Sequence, residues 1–216
     1  MGSPIPPPEN ELHPVTLTRG FWMGTTPITH QQWTAVMGKP FGPTRPEDGA
    51  LPVSGVSWDS AMRFCEAATR QLQELGALTQ AQRVTLPTEA QWEYASRAGA
   101  STRWFFEKEG GSLGDHAWYR DNSDDELHPV ARKKPNAWGL FDLYGNVPEW
   151  CMDNLYRYES QALVDPCFIK EGAPLRLLRG GSYNRCAEDC SSVSREAIMA
   201  NNPFGEDCGF RVACTS

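Results

Sequence analysis

Three stretches of this chain repeat apolar residues at helical spacing, and each starts at a residue able to cap a helix. Thr29 and Gln32 form a capping box, Trp33, Val36 and Met37 share the stripe that follows, and Gly38 stops it. Ser57 caps a longer stretch in which Ala61, Phe64, Cys65, Ala68, Leu72 and Leu75 lie on one face until Gly76. Pro87 blocks any earlier start for the third, Thr88 and Gln91 repeat the capping box, and Trp92 and Ala95 turn inward before Gly99. The pattern predicts about three helices in the N-terminal half, the second being the longest.

From about residue 100 onward helical periodicity disappears, and Gly, Pro, Asn and Asp alternate with isolated Trp and Tyr. Loops and short strands are expected there, ordered by aromatic burial and by something that ties the backbone together, for which bound calcium is suited. Near the end, strand alternation puts Cys208, Phe210, Val212 and Cys214 on one face, which Phe210 takes into the core.

A length of 216 residues with 40% hydrophobic content supports one sizeable core. No linker divides the chain, and no low-complexity run occurs beyond Pro4 to Pro8, so residues 1–216 read as a single domain. A net charge of -7 argues against a nucleic-acid partner, since Arg132-Lys133-Lys134 is the only basic run and reads as a solvated loop. No stretch is apolar enough for a membrane span. Seven cysteines without framework spacing fit free thiols in a reducing compartment, so the cytoplasm is the default location, with export left open because the N-terminus reads as truncated.

The densest chemistry lies in Arg179-Gly180-Gly181-Ser182-Tyr183, followed by Cys186 and Cys190 and closed by Gly209-Phe210-Arg211. Two glycines permit torsions closed to other residues, and two nearby thiols are soft metal donors. The segment is an active site or the frame of one.

These motifs join Val53 to Asp59, Leu86 to Ala95, Asn136 to Leu140 and Gly145 to Trp150 in one order. Together they resemble the formylglycine-generating-enzyme and sulfatase-modifying-factor family over nearly the whole chain. The resemblance implies an α+β, C-type-lectin-like fold low in regular structure. Met1-Gly2-Ser3-Pro4 resembles an internal family segment, so the chain is expected to be cut from a longer protein and fused to an N-terminal domain. Members include copper-dependent oxidases that convert a peptide cysteine to formylglycine, iron-dependent sulfoxide synthases with a histidine-rich helical domain, and noncatalytic ligand-display proteins. Among the last are the variable proteins of diversity-generating retroelements, whose C-terminal segment is diversified. This chain resembles that noncatalytic branch more nearly. Its four histidines lack metal-ligand spacing, and no nucleophile and base stand out, which leaves the synthase and hydrolase classes without support.

In the oxidase pattern the two thiolates bind Cu(I), with four residues between them; here three separate Cys186 from Cys190. Cys190 falls at the second family position and Cys186 one place late, which on an extended segment turns it to the opposite face. Pro148 stands where the family carries a Trp, and Asp189 where the oxidases carry an aromatic. Cys190 is therefore expected to be core packing, with copper held by Cys190 and Cys186 beside Ser182 as the catalytic alternative. A zinc cluster adding Cys208 and Cys214 is a further alternative, disfavoured by its spacing. Cys65 belongs to the second helix's core stripe.

The resemblance also implies a calcium site formed by Asp142, the carbonyls of Gly145 and Val147, and Glu149, a hard-oxygen set suited to Ca²⁺. The competing reading is a turn with Glu149 in a salt bridge. A second family site would begin at Asn122 and Ser123, but its downstream acid is missing.

The expected function is a ligand-binding module whose surface spans about residues 184–207 between fixed frames. Its candidate contacts are Tyr183, Asn184, Arg185, Cys186, Glu188 and Asp189 on the first part, then Ser194, Glu196, Met199, Asn201 and Phe204. The expected partner is a protein or other macromolecule. The alternative is a formylglycine-generating oxidase acting on a peptide cysteine.

Overall fold

The computed structural model describes residues 12–42, 45–202 and 207–215. The predicted helices appear as α1 (His30–Met37), α2 (Trp58–Glu74) and α3 (Glu89–Arg97). Thr29 and Thr88 each accept from the backbone of the glutamine three residues on, which returns the bond, and Ser57 caps α2. α1 stops at Gly38 in the left-handed region, as expected. α3 stops at Ala98, which adopts that conformation itself one residue before Gly99. α2 ends one residue short of Leu75, which is 79% exposed, so the apolar stripe closes at Leu72. A single turn, α4 (Leu113–His116), adds a helix within the loop-rich half.

The eight strands among the described residues are short. β1 (Val15–Thr16) pairs in parallel with β5 (Leu163–Val164), and β8 (Ala213–Thr215) lies between β2 (Phe21–Met23) and β3 (Val84–Thr85). The functional half rests on an antiparallel sheet in which β6 (Leu175–Arg179) sits between β4 (Glu149–Asn154) and β7 (Arg195–Met199).

Alternation along this sheet sends neighbours to opposite sides. Trp150, Leu178 and Ile198 join the core built on α1 and α2, with Trp33, Phe64, Cys65 and Phe210. Cys151, Leu177 and Ala197 join a second core with Trp92, Phe106, Leu143 and Tyr144. Indole donors fasten both layers, Trp150 Nε1 to the Val56 carbonyl at 2.7 Å and Trp58 Nε1 to the Cys151 carbonyl at 2.9 Å. Cys65 is buried in the first core as expected, and burial pushes its thiol up to about 12. Among the described residues no helix is long and apolar enough to cross a membrane.

Candidate functional site

The register Arg179↔Arg195 puts two guanidinium groups on one face of the sheet, over α3. Two bare positive charges there would be prohibitively costly, and α3 supplies their counter-charges at i and i+4. Glu89 accepts from Arg195 Nε at 2.6 Å and Nη2 at 3.0 Å, and lies 3.6 Å from Arg179 Nε. Glu93 accepts from Arg179 Nη2 at 2.6 Å and from Arg97 Nε at 3.0 Å. Burial works to raise the Glu89 carboxyl, but Arg195 and Arg179 hold it below its ordinary value. Burial likewise works to lower Arg179, and Glu93 with Glu89 raises it instead. This network was not singled out from the sequence; the available signal was two acids four residues apart on a helix whose other buried residues include Trp92 and Ala95.

A second buried pair anchors the far end of the segment. Arg211 meets Glu149 through Nε at 2.6 Å and Nη2 at 2.7 Å, and its remaining protons reach the carbonyls of Gly24 and Phe141 at 3.0 and 2.8 Å. Trp92 Nε1 donates to the same Glu149 at 2.7 Å, so one carboxylate ties α3, β4 and the C-terminal frame together. Glu149 is thus held in a buried salt bridge with Arg211.

Arg179 also donates to the carbonyls of Ser192 and Ser194, which fixes the segment between the frames from within. The segment 184–194 is a series of turns rather than an extended strand, with Asp189 donating its N–H to the Cys186 carbonyl and Cys190 to that of Ala187. The face-reversal expected for Cys186 on an extended segment therefore does not apply. The thiols differ all the same: Cys190 is fully buried and Cys186 half-buried. Burial pushes Cys190 up to about 12, and donation to Asp189 Oδ2 at 3.0 Å raises Cys186. Ser182 is buried and donates to Asn184 Oδ1 at 2.6 Å. Cys208 is fully buried, and Cys214 is half-buried on the central strand of its sheet, paired with Trp22 and Val84; among the described residues no three Cys, His, Asp or Glu side chains gather as a metal cluster.

The anticipated recognition segment divides into two arms. Asn184, Glu188 and Asp189 are exposed on the first, with Tyr183, Arg185 and Cys186 half-buried; Met199 and Asn201 are exposed on the second, with Ser194 and Glu196 half-buried. Between them residues 190–193 sink into the protein, and the second arm is largely β7, which sequence composition did not reveal. Phe204 lies outside the described residues. The arms flank a cleft of two lobes, about 180 and 240 Å³, that share Pro148, Leu178, Arg185 and Glu196. A wider groove of about 580 Å³ runs between β2, α3 and Trp138, and no cysteine lines it.

Asp142 sits at a positive φ of 55°, and its Oδ2 accepts from the Ala131 amide at 2.8 Å. Its Oδ1 is buried with no hydrogen-bond partner among the described residues. Burial raises its carboxyl, and the Glu149 charge adds to that rise. Asn122 and Ser123 are engaged in their own turn, through the Tyr119 amide and His128.

The sulfatase-modifying factor enzyme 1-like domain pattern matches residues 1–216. A formylglycine-generating enzyme of Streptomyces coelicolor is 34% identical over 178 residues, which is 75% of this chain and 52% of that protein. The Mycobacterium tuberculosis protein of the same name is 30% identical over 72% of this chain and 53% of its own length. The chain thus spans about half the length of these relatives. Treponema denticola variable protein 1 has a similar structure, with a TM-score of 0.82 at 28% identity, covering 100% of this chain and 91% of that one. PvdO from Pseudomonas aeruginosa shares the fold at a TM-score of 0.81 and 24% identity, over 100% of this chain and 90% of that one.

Proposed function

The chain belongs to the sulfatase-modifying factor enzyme 1-like family and has an α+β, C-type-lectin-like fold; on that premise we propose that it is a ligand-binding module. The two arms at 184–189 and 194–201 are its recognition surface, as in the variable proteins of diversity-generating retroelements. The supporting observation is the division of labour along this segment. Buried arginines hold its ends and its middle, while the candidate contact side chains face outward around a cleft. A scaffold held from within tolerates change on such a surface without losing its fold. The likeness to variable protein 1 supports the same reading.

The coding DNA tests it. A near-copy of the 3′ segment differing mainly at adenines, beside a reverse-transcriptase gene, is the expected finding. Retention of partner binding after simultaneous replacement of Asn184, Glu188, Met199 and Asn201 would overturn the assignment of the surface.

The relatives named formylglycine-generating enzyme favour a second reading, a copper-dependent oxidase of a peptide cysteine. Against it stand departures from the oxidase pattern: three rather than four residues separate Cys186 from Cys190, and Asp189 stands where the oxidases carry an aromatic. Pro148 in the wall of the cleft is a further difference from the oxidase pattern. Aldehyde formation on a Cys-x-Pro-x-Arg peptide with Cu(I) and oxygen would establish the second reading over the first.

Asp142, the carbonyls of Gly145 and Val147, and Glu149 are proposed to hold Ca²⁺. The buried, unpartnered Oδ1 of Asp142 supports the fit. Among the described residues Glu149 Oε1 accepts from Arg211 Nη2 alone, which keeps a lone pair for the ion. Calcium there would cross-link the turn from Asp142 to Glu149.

A further inference from the structure

The cleft between the two arms carries charge that the buried frame does not cancel. Its 240 Å³ lobe is lined by the carboxylates of Asp207 and Glu196 together with Ser182, Asn184, Arg185 and Pro148. Asp207 is held by neutral hydroxyls, accepting from Tyr183 at 2.7 Å and Ser54 at 3.1 Å, and forms no ion pair among the described residues. Its negative charge is therefore fixed in place but uncompensated. Glu196 is paired with Arg185 at 2.7 Å, with 42% and 39% of the Arg and Glu side chains still exposed. That pair borders both lobes and stands at their junction. The guanidinium groups of the smaller lobe, Arg179 and Arg195, are already matched by Glu89 and Glu93 beneath.

We propose that this cleft takes a cationic side chain of a peptide, an arginine or a lysine, with Asp207 and Glu196 as its carboxylate partners and Arg185 as the internal cation it displaces. The inference rests on the display reading and names the ligand class of that surface. Exchanging one cation for another at Glu196 is nearly neutral, because a half-exposed ion pair contributes little. The gain comes at Asp207, whose preorganised carboxylate acquires a hydrogen bond from a cationic donor, which its two hydroxyl partners do not supply. Low-dielectric walls such as Pro148 and Leu178 strengthen that attraction.

The test is calorimetric titration of the full chain with two capped, otherwise uncharged glycine-serine heptapeptides, one carrying a central pair of arginines and the other a central pair of aspartates. The arginine peptide should bind more tightly, and rising salt should weaken it. Asp207→Asn should weaken it about tenfold or more, as expected for a lost hydrogen bond to a charged group. Glu196→Gln should weaken it, and Arg185→Gln should strengthen it about twofold to fivefold by removing the competitor. A purely structural ion pair would move both variants in the same direction. Equal, reversed or absent binding of the two peptides by the wild type overturns the inference, as does a loss of affinity in Arg185→Gln. Partner binding that depends on Met199 and Asn201 but not on these charges would leave the display reading standing while removing this one. Arginine-peptide binding indifferent to every substitution across 184–202 removes both.

Discussion

The Cys190 thiol lies so close to Gly181 that a Cβ built on the glycine would meet its Sγ at 2.7 Å and its Cα at 2.9 Å. Gly181 also holds a φ of +73°. The thiol is thus a packing element seated under the turn that begins the first arm. Gly181→Ala is expected to destabilise the protein by about 2 kcal/mol or more, combining left-handed strain with a clash against backbone. Cys190→Ala should cost about 1 to 2 kcal/mol, as loss of a small buried group does. Urea midpoints for both variants check this; a Cys190→Ala protein with wild-type stability would show that the thiol is not packing.

Arg179 Nη2 donates to the Glu93 carboxylate at 2.6 Å, and its other acceptor there, the Ser192 carbonyl, is neutral. Glu93→Gln removes a buried charge from a network of guanidinium groups and should cost about 3 to 5 kcal/mol in urea unfolding. A change of less than about 1 kcal/mol would mean that solvent reaches the network.

Exposed positions on the arms should behave oppositely. Glu188→Ala, Met199→Ala and Asn201→Ala are each expected to stay within about 0.5 kcal/mol of the parent protein. Thermal melts of the three variants measure this tolerance, and a large loss at any of them would place that residue in the frame instead.

If Asp142 and Glu149 hold calcium, EDTA should lower the melting temperature by several degrees, and added Ca²⁺ should restore it, since an ion bound only by the folded state stabilises that state. An unchanged melt together with no metal in elemental analysis would remove the site.

Burial, joined by the Glu89 charge, pushes the Asp153 carboxyl from 3.8 to about 7. The folded state then holds the proton more tightly than the unfolded chain. This group's stabilising contribution is full below pH 3.8 and is lost as pH rises to about 7. Asp153→Asn should therefore fall less steeply in stability than the wild type across that window. Parallel curves of unfolding free energy against pH would contradict it.

Much of the first half was legible because its signals are local. Capping boxes at Thr29 and Thr88 and the stripe from Ala61 to Leu72 act within a few residues, and the structure keeps all three helices. Leu75 was misplaced because its apolar character favours the core while the helix beneath it ends at Glu74. β7 was missed because each of its faces mixes charged with apolar residues, Arg195 with Ala197 and Met199, and Glu196 with Ile198, which leaves no clean alternation.

By itself, the chain's sequence determined where its helices start, which stripe faces the core and, through its ordered motifs, the family to which it belongs. Only tertiary structure decided which thiol is sunk, that Glu89 and Glu93 neutralise Arg195 and Arg179, and that Asp207 stands at a cleft with no ion-pair partner among the described residues. Those partners are separated by 106 and 86 positions in the chain. Capping and periodicity report on neighbours within one turn of helix. A buried charge finds its partner only when sheet and helix close over it, because desolvation makes any other arrangement too costly.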